Sequence, residues 1–150
     1  MTVKQWLHRA RTIDTEITEM LAKKQQIRDN VLRITQTYER SEAQVTKDPH
    51  KLDKLIEIEN QIDELVDSYV ATLLEIVNVI SQVQDSRQRR ILMMYYTGKD
   101  EKTGELLKWE QVAVMVHYSY KQTKRIHAKG CYAVAEILKA NNVLVCPDIT

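Results

Sequence analysis

No glycine occurs before residue 98, and Pro49 is the only proline before it. Tight turns draw on Gly and Pro for backbone conformations that other residues resist. A chain with 3 Gly and 2 Pro in 150 residues therefore has little turn chemistry, which disfavours a β-sandwich or an α/β fold and favours a few long helices.

The apolar pattern agrees. From Val3 to about Glu39, Trp6, Ala10, Ile13, Ile17, Leu21, Ile27, Val31, Ile34 and Tyr38 recur mostly at helical spacing with charges between. The pattern lapses over residues 40 to 50, which read as the hinge of a hairpin with Asp48 as N-cap and Pro49 in the first helical turn. A second helix then runs from Lys51 to about Gln84, and from Leu65 onward its apolar face widens, which predicts burial on more than one side. Helices this long depend mainly on a partner for their apolar stripe. The two are expected to pair antiparallel, with self-association, a dimer foremost, on the remaining stripe.

Asp85 and Ser86 are placed to cap a third helix ending at Thr97-Gly98, with Ile91, Leu92, Met94 and Tyr95 on its apolar side. Met93 to Tyr96 reads as core packing. Residues 98 to 104 carry the two loop glycines and read as an exposed turn or a short hairpin. A short helix follows from Trp109 to Val116, with Val112, Ala113 and Val116 inward. After the break at His117-Tyr118-Ser119 comes a longer helix from Tyr120 to about Ala140. That order is the sequence shape of a helix-turn-helix, with Ser119 as N-cap and Ala113 as the small residue that lets the two helices cross closely. In the longer helix Thr123, Ile126, Val134, Ile137 and Leu138 mark the inward stripe, while Tyr120, Lys121, Gln122, Lys124, Arg125, His127 and Lys129 mostly face out.

The resulting fold class is all-α: a long N-terminal antiparallel helical hairpin over residues 1–85, followed by a helix-turn-helix domain over residues 86–150. Charge divides the same way. Residues 1–85 hold 11 Lys+Arg and 15 Asp+Glu, net −4, whereas residues 86–150 hold 11 and 6, net +5. Between His117 and Gly130 there are four Lys+Arg and no acid, so the basic half is the expected partner of a polyanion, here duplex DNA. Gln and Arg match the donor and acceptor patterns of base edges, Lys suits phosphates, and the helix N-terminus favours an anionic backbone.

Other chemistry finds little footing. No Gly-rich phosphate loop, nucleophile elbow or oriented Cys/His pair occurs, so no catalytic residue and no cofactor are expected. His8, His50, His117 and His127 are scattered over separate elements, and no metal site is expected. Cys131 and Cys146 form no metal-spaced pair and read as reduced thiols. With no signal-peptide pattern and no membrane-length apolar run, a cytoplasmic location and no membrane partner are expected.

The string Trp109-Glu-Gln-Val-Ala, a short gap, then Tyr118-Ser-Tyr-Lys-Gln-Thr-Lys-Arg-Ile-His127 with Lys129 resembles the C-terminal motif of small phage and prophage proteins of Gram-positive bacteria. These are similar to the RinA and ArpU regulators and to region 4 of sigma-70 factors. The opening Thr2-Val-Lys-Gln-Trp-Leu, the pair Ile13-Asp14 and the acidic second helix extend the likeness over most of the chain. The resemblance implies a sigma-region-4-like DNA-binding domain in a phage transcriptional regulator of late or packaging genes, acting in the bacterial host cytoplasm; the helical hairpin is then expected to self-associate or to contact RNA polymerase. It implies Ser119, Tyr120, Lys121, Gln122, Lys124, Arg125 and Lys129 as the DNA-facing positions. Two departures stand out: His117 occupies a turn position where such motifs have Gly, and the loop at 98–108 is longer. The alternatives are a small terminase-like packaging subunit and a phage-encoded inhibitor of a host protein complex.

Overall fold

The computed structural model of the chain describes residues 1–41, 49–143 and 145. The described residues form five α-helices and no strand: α1 (Val3–Ser41), α2 (Pro49–Ser81), α3 (Ser86–Thr97), α4 (Trp109–Val116) and α5 (Tyr120–Ala140). The expected hinge over residues 40 to 50, the Asp48 cap and Cys146 lie largely or wholly outside the described residues. Pro49 opens α2, where its missing N–H removes no helical bond.

Several helix boundaries have a local cause. At the start of α1, Thr2 Oγ1 accepts from Gln5 N at 3.2 Å and Gln5 Oε1 accepts from Thr2 N at 2.9 Å, a reciprocal capping box. Asp85 caps α3 as expected, its carboxylate accepting from the backbone N–H groups of Arg87 and Gln88. Those bonds hold the Asp85 carboxyl below its usual pKa, Gln88 contributing most. α5 ends with Asn142 in a left-handed conformation (φ 60°), and Val143 N donates to Leu138 O at 2.9 Å. This is the return bond of a Schellman motif, which satisfies a carbonyl the helix leaves open.

The chain divides into two compact units. One contains Ile13–Tyr69 and the other Met1–Thr12 together with Val70–Thr150. The second unit thus takes in the first turns of α1 and the end of α2, which the sequence reading assigned to the hairpin. The buried residues show why: Val3, Trp6, Leu7 and Ala10 of α1 and Ile76, Val79, Ile80 and Val83 of α2 are all core. Complete burial of a Val, Leu or Ile side chain contributes about 1.5–3 kcal/mol.

α3, α4 and α5 pack against one another, and Ile91, Leu107, Val112, Val116 and Ile126 form one core cluster flanked by Met94, Tyr95, Trp109 and Tyr118. Gly130 is what lets α3 and α5 come close. A Cβ there would stand 3.0 Å from Leu92 Cδ1 and 3.4 Å from Gln88 Cβ. The loop between α3 and α4 closes through one antiparallel bridge, Lys99 to Leu106, with Gly104 at φ +70°. Asp100 braces it, accepting from Lys102 N at 2.8 Å and from Gln111 Nε2 at 2.9 Å.

In the Ile13–Tyr69 unit Lys24 pairs with Glu59 at 3.1 Å, Ile62 is buried, and Leu21, Leu32, Leu52, Ile56 and Val66 are exposed. In the other unit Arg9 pairs with Glu75 at 2.9 Å. The widened apolar face expected from Leu65 onward is buried only from Ile76. Val66, Val70 and Leu74 are exposed, because they lie on a separate four-residue row from Ile76, Ile80 and Val83. Among the described residues, no helix is long and apolar enough to cross a membrane.

Candidate nucleic-acid interface

The site is built on α4, the turn after it and the first turns of α5. Gln111 fixes the start of α4 by accepting from Lys108 N at 2.8 Å. The end of α4 is a complete Schellman motif: His117 N donates to Val114 O at 3.3 Å and Tyr118 N to Ala113 O at 3.2 Å. His117 is left-handed, at φ 62° and ψ 35°. Histidine is among the residues that tolerate this region better than most, which explains how the turn forms without glycine. Tyr118 packs on the core cluster and anchors the turn.

Ser119 then starts α5 as the N-cap. Its Oγ accepts from Gln122 N at 3.1 Å, and its carbonyl accepts from Thr123 Oγ1 at 2.9 Å. Thr123 is fully buried, so this second bond satisfies a hydroxyl that has left water. With Thr123 and Ile126 held inward, the face between them is set. Tyr120, Lys121, Gln122, Arg125 and Lys129 are exposed. Among the described residues no carboxylate forms an ion pair with Lys121, Arg125 or Lys129. The positive end of the helix dipole and these cations point the same way electrostatically.

Two side chains depart from the expected outward set. His127 is buried at 3% exposure, with Nε2 2.7 Å from the Tyr96 hydroxyl and 3.4 Å from Cys131 Sγ. It lies four residues after Thr123 and four before Cys131, on the inward row, so a pattern that scores histidine as polar places it wrongly. Lys124 is half-buried, and its Nζ lies 4.3 Å from the centroid of the Trp109 ring. Partial burial first, and the nearby Lys4 ammonium second, lower its pKa. Trp109 in turn stacks on Tyr95 at 3.8 Å, and the Arg11 guanidinium sits 4.1 Å over Tyr95. This column of two rings and two cations ties α1, α3, α4 and α5 together. Its composition was visible in the sequence, but its assembly was not.

Arg90 of α3 adds a cation that the sequence reading did not place at the site. It is exposed, and its Nη2 donates to Met115 O, in the last turn of α4, at 3.4 Å. No group of three or more metal-ligating side chains occurs among the described residues, and Cys131, which is in no disulfide, is buried. No family model, curated protein or solved structure matches the chain.

Proposed function

We propose that α4, its turn and α5 act as a helix-turn-helix that binds duplex DNA, with α5 as the recognition helix, and that the protein is a non-catalytic phage transcriptional regulator. The observation that carries the reading is the exposed face at the start of α5. There Lys121, Gln122 and Arg125 stand beside a Ser119-capped helix end, and no acid among the described residues forms an ion pair with either cation. Gln122 and Arg125 share a helix face and can each make paired bonds to base edges, while Lys121 serves phosphate. The assignment to regulation of late or packaging genes comes from the resemblance of the α4–α5 string to the RinA and ArpU family; contact with RNA polymerase would fall to the helical hairpin, as the alternative to self-association.

The helical hairpin is part of the same reading. Within the Ile13–Tyr69 unit, the ion pair of Lys24 on α1 with Glu59 on α2 supports it. Exposed Leu52 and Ile56 on α2 offer an apolar row for a second copy of the chain. If they do so, the double variant Leu52→Glu with Ile56→Glu lowers the mass of the full chain measured by light scattering; an unchanged mass removes self-association through this row.

Fluorescence anisotropy tests the DNA reading with a duplex selected from a random pool and a scrambled duplex. Gln122→Ala and Arg125→Ala should each cost about 1–3 kcal/mol on the selected duplex and relax the preference between the two. Equal affinities for both duplexes, unaltered by either substitution, would remove α5 from DNA reading.

A further inference from the structure

The basic surface continues beyond α5. Arg87 and Arg90 are three residues apart on α3 and so share a face, and both are exposed. Arg87 is already engaged with Asp85, at 3.6 Å. Arg90 reaches across to the Met115 carbonyl of α4, at 3.4 Å, where the negative end of the α4 dipole favours a cation. Met115 lies in the turn of helix just before His117, so the guanidinium is held beside the connection that introduces α5. Among the described residues no carboxylate forms an ion pair with Arg90. A guanidinium has five N–H donors, and one long bond to a carbonyl leaves the others directed at solvent.

Lys124 is in the opposite situation. Its ammonium rests on the Trp109 ring at 4.3 Å, and Trp109 is itself stacked on Tyr95 at 3.8 Å. Reaching a phosphate would mean leaving that ring and uncovering it. The stem and head of this side chain join the second helix of the motif to the first.

We propose that Arg90 is a phosphate-contacting residue of the duplex-binding surface, beside the α4–α5 turn, and that Lys124 is a positioning residue that clamps α5 to α4 through Trp109. This rests on the duplex-DNA reading and adds to it an element, α3, and a division of labour between two cations. Arg90 meets the DNA backbone and carries no base preference. Lys124 acts through the orientation of α5.

The test is a salt titration of full-length variants on the selected and scrambled duplexes, with Lys121→Ala as the reference. Arg90→Ala should weaken both duplexes by the same factor and reduce the slope of log affinity against log salt by about 0.9. Between about 50 and 200 mM salt, the variant then loses roughly 3.5-fold less affinity than the parent. Arg90→Lys should keep the slope. Lys124→Ala should weaken the selected duplex with its salt slope unchanged, and Lys124→Arg, which also stacks on an aromatic face, should restore it. If Arg90→Ala changes nothing while Lys121→Ala lowers the slope, the Arg90 assignment is overturned and the DNA reading stands. If Lys124→Ala lowers the slope as Lys121→Ala does, the clamp is overturned. A parent chain with no salt-dependent affinity for either duplex overturns the DNA reading itself.

Discussion

Replacing Gly130 with Ala sets two physical effects of opposite sign against each other, and the structure decides between them. Glycine inside a helix is disfavoured relative to alanine by about 1 kcal/mol, so on an exposed helix the substitution would stabilise. In α5 the added Cβ meets Leu92 Cδ1 at 3.0 Å and Leu92 Cγ at 3.3 Å, both closer than ordinary van der Waals packing, and Gln88 Cβ at 3.4 Å. Leu92 is 0% exposed, so it has no solvent to move into, and the strain passes to the α3–α5 packing. Overpacking of this kind costs about 1–3 kcal/mol. The net expectation is a loss of about 1 kcal/mol, which lowers the melting temperature by roughly 4–8 °C in a unit of this size. Both tryptophans, Trp6 and Trp109, lie in the unit that contains Gly130, so intrinsic fluorescence during thermal unfolding reports on it. A melting temperature that rises by a few degrees would show that the Cβ finds space, and would refute the close approach of α3 to α5.

Three further outcomes are expected. Ala113 is buried on the inward face of α4, so Ala113→Leu should cost about 1–3 kcal/mol by overpacking, read by urea unfolding; an unchanged midpoint would count against the tight α4 packing. Tyr96→Phe removes the 2.7 Å bond to buried His127 and should cost about 1–3 kcal/mol, whereas a neutral result would mean that the bond is replaced without penalty. His8, edge-on to Tyr95 and Tyr96, has its pKa lowered from 6.5 by burial first and by the Arg11 charge second. The unfolded chain therefore takes up the His8 proton at higher pH than the folded chain does. Its contribution to stability is complete above pH 6.5 and falls as the pH drops from there toward the folded pKa. Melting temperatures of the parent and His8→Gln measured from about pH 7.5 down to pH 5 should diverge in that window, and parallel profiles would contradict the assignment.

Local chemistry was the legible part of this fold. Asp85 and Ser119 cap their helices through short side chains that bond within three residues, so the evidence for both lies in adjacent sequence. The break at His117 was legible for the same reason, since a helix of apolar period stops there and a capped one begins at once. What periodicity does not carry is the identity of the neighbour. It placed Trp6 and Ala10 on an apolar stripe but did not show that they join the C-terminal unit. Gly130 carries no local sign of its role, because its meaning depends on Leu92, 38 positions away. Lys124 and His127 were misplaced by polarity. The first covers a tryptophan ring with its charged head, and the second satisfies its ring nitrogen inside the core. Long or ambivalent side chains are assigned by their partners, and partners distant in sequence leave no local signal.

The most direct test of the account is a selection of duplexes from a random pool by the full-length protein, followed by a salt titration on the enriched sequence. If α5 reads duplex DNA, a defined motif emerges, affinity falls linearly on a log–log scale with added salt, and the motif is lost when the selection is repeated with Gln122→Ala and Arg125→Ala combined. A pool that remains random after selection, with no salt-dependent retention of any duplex, would contradict it.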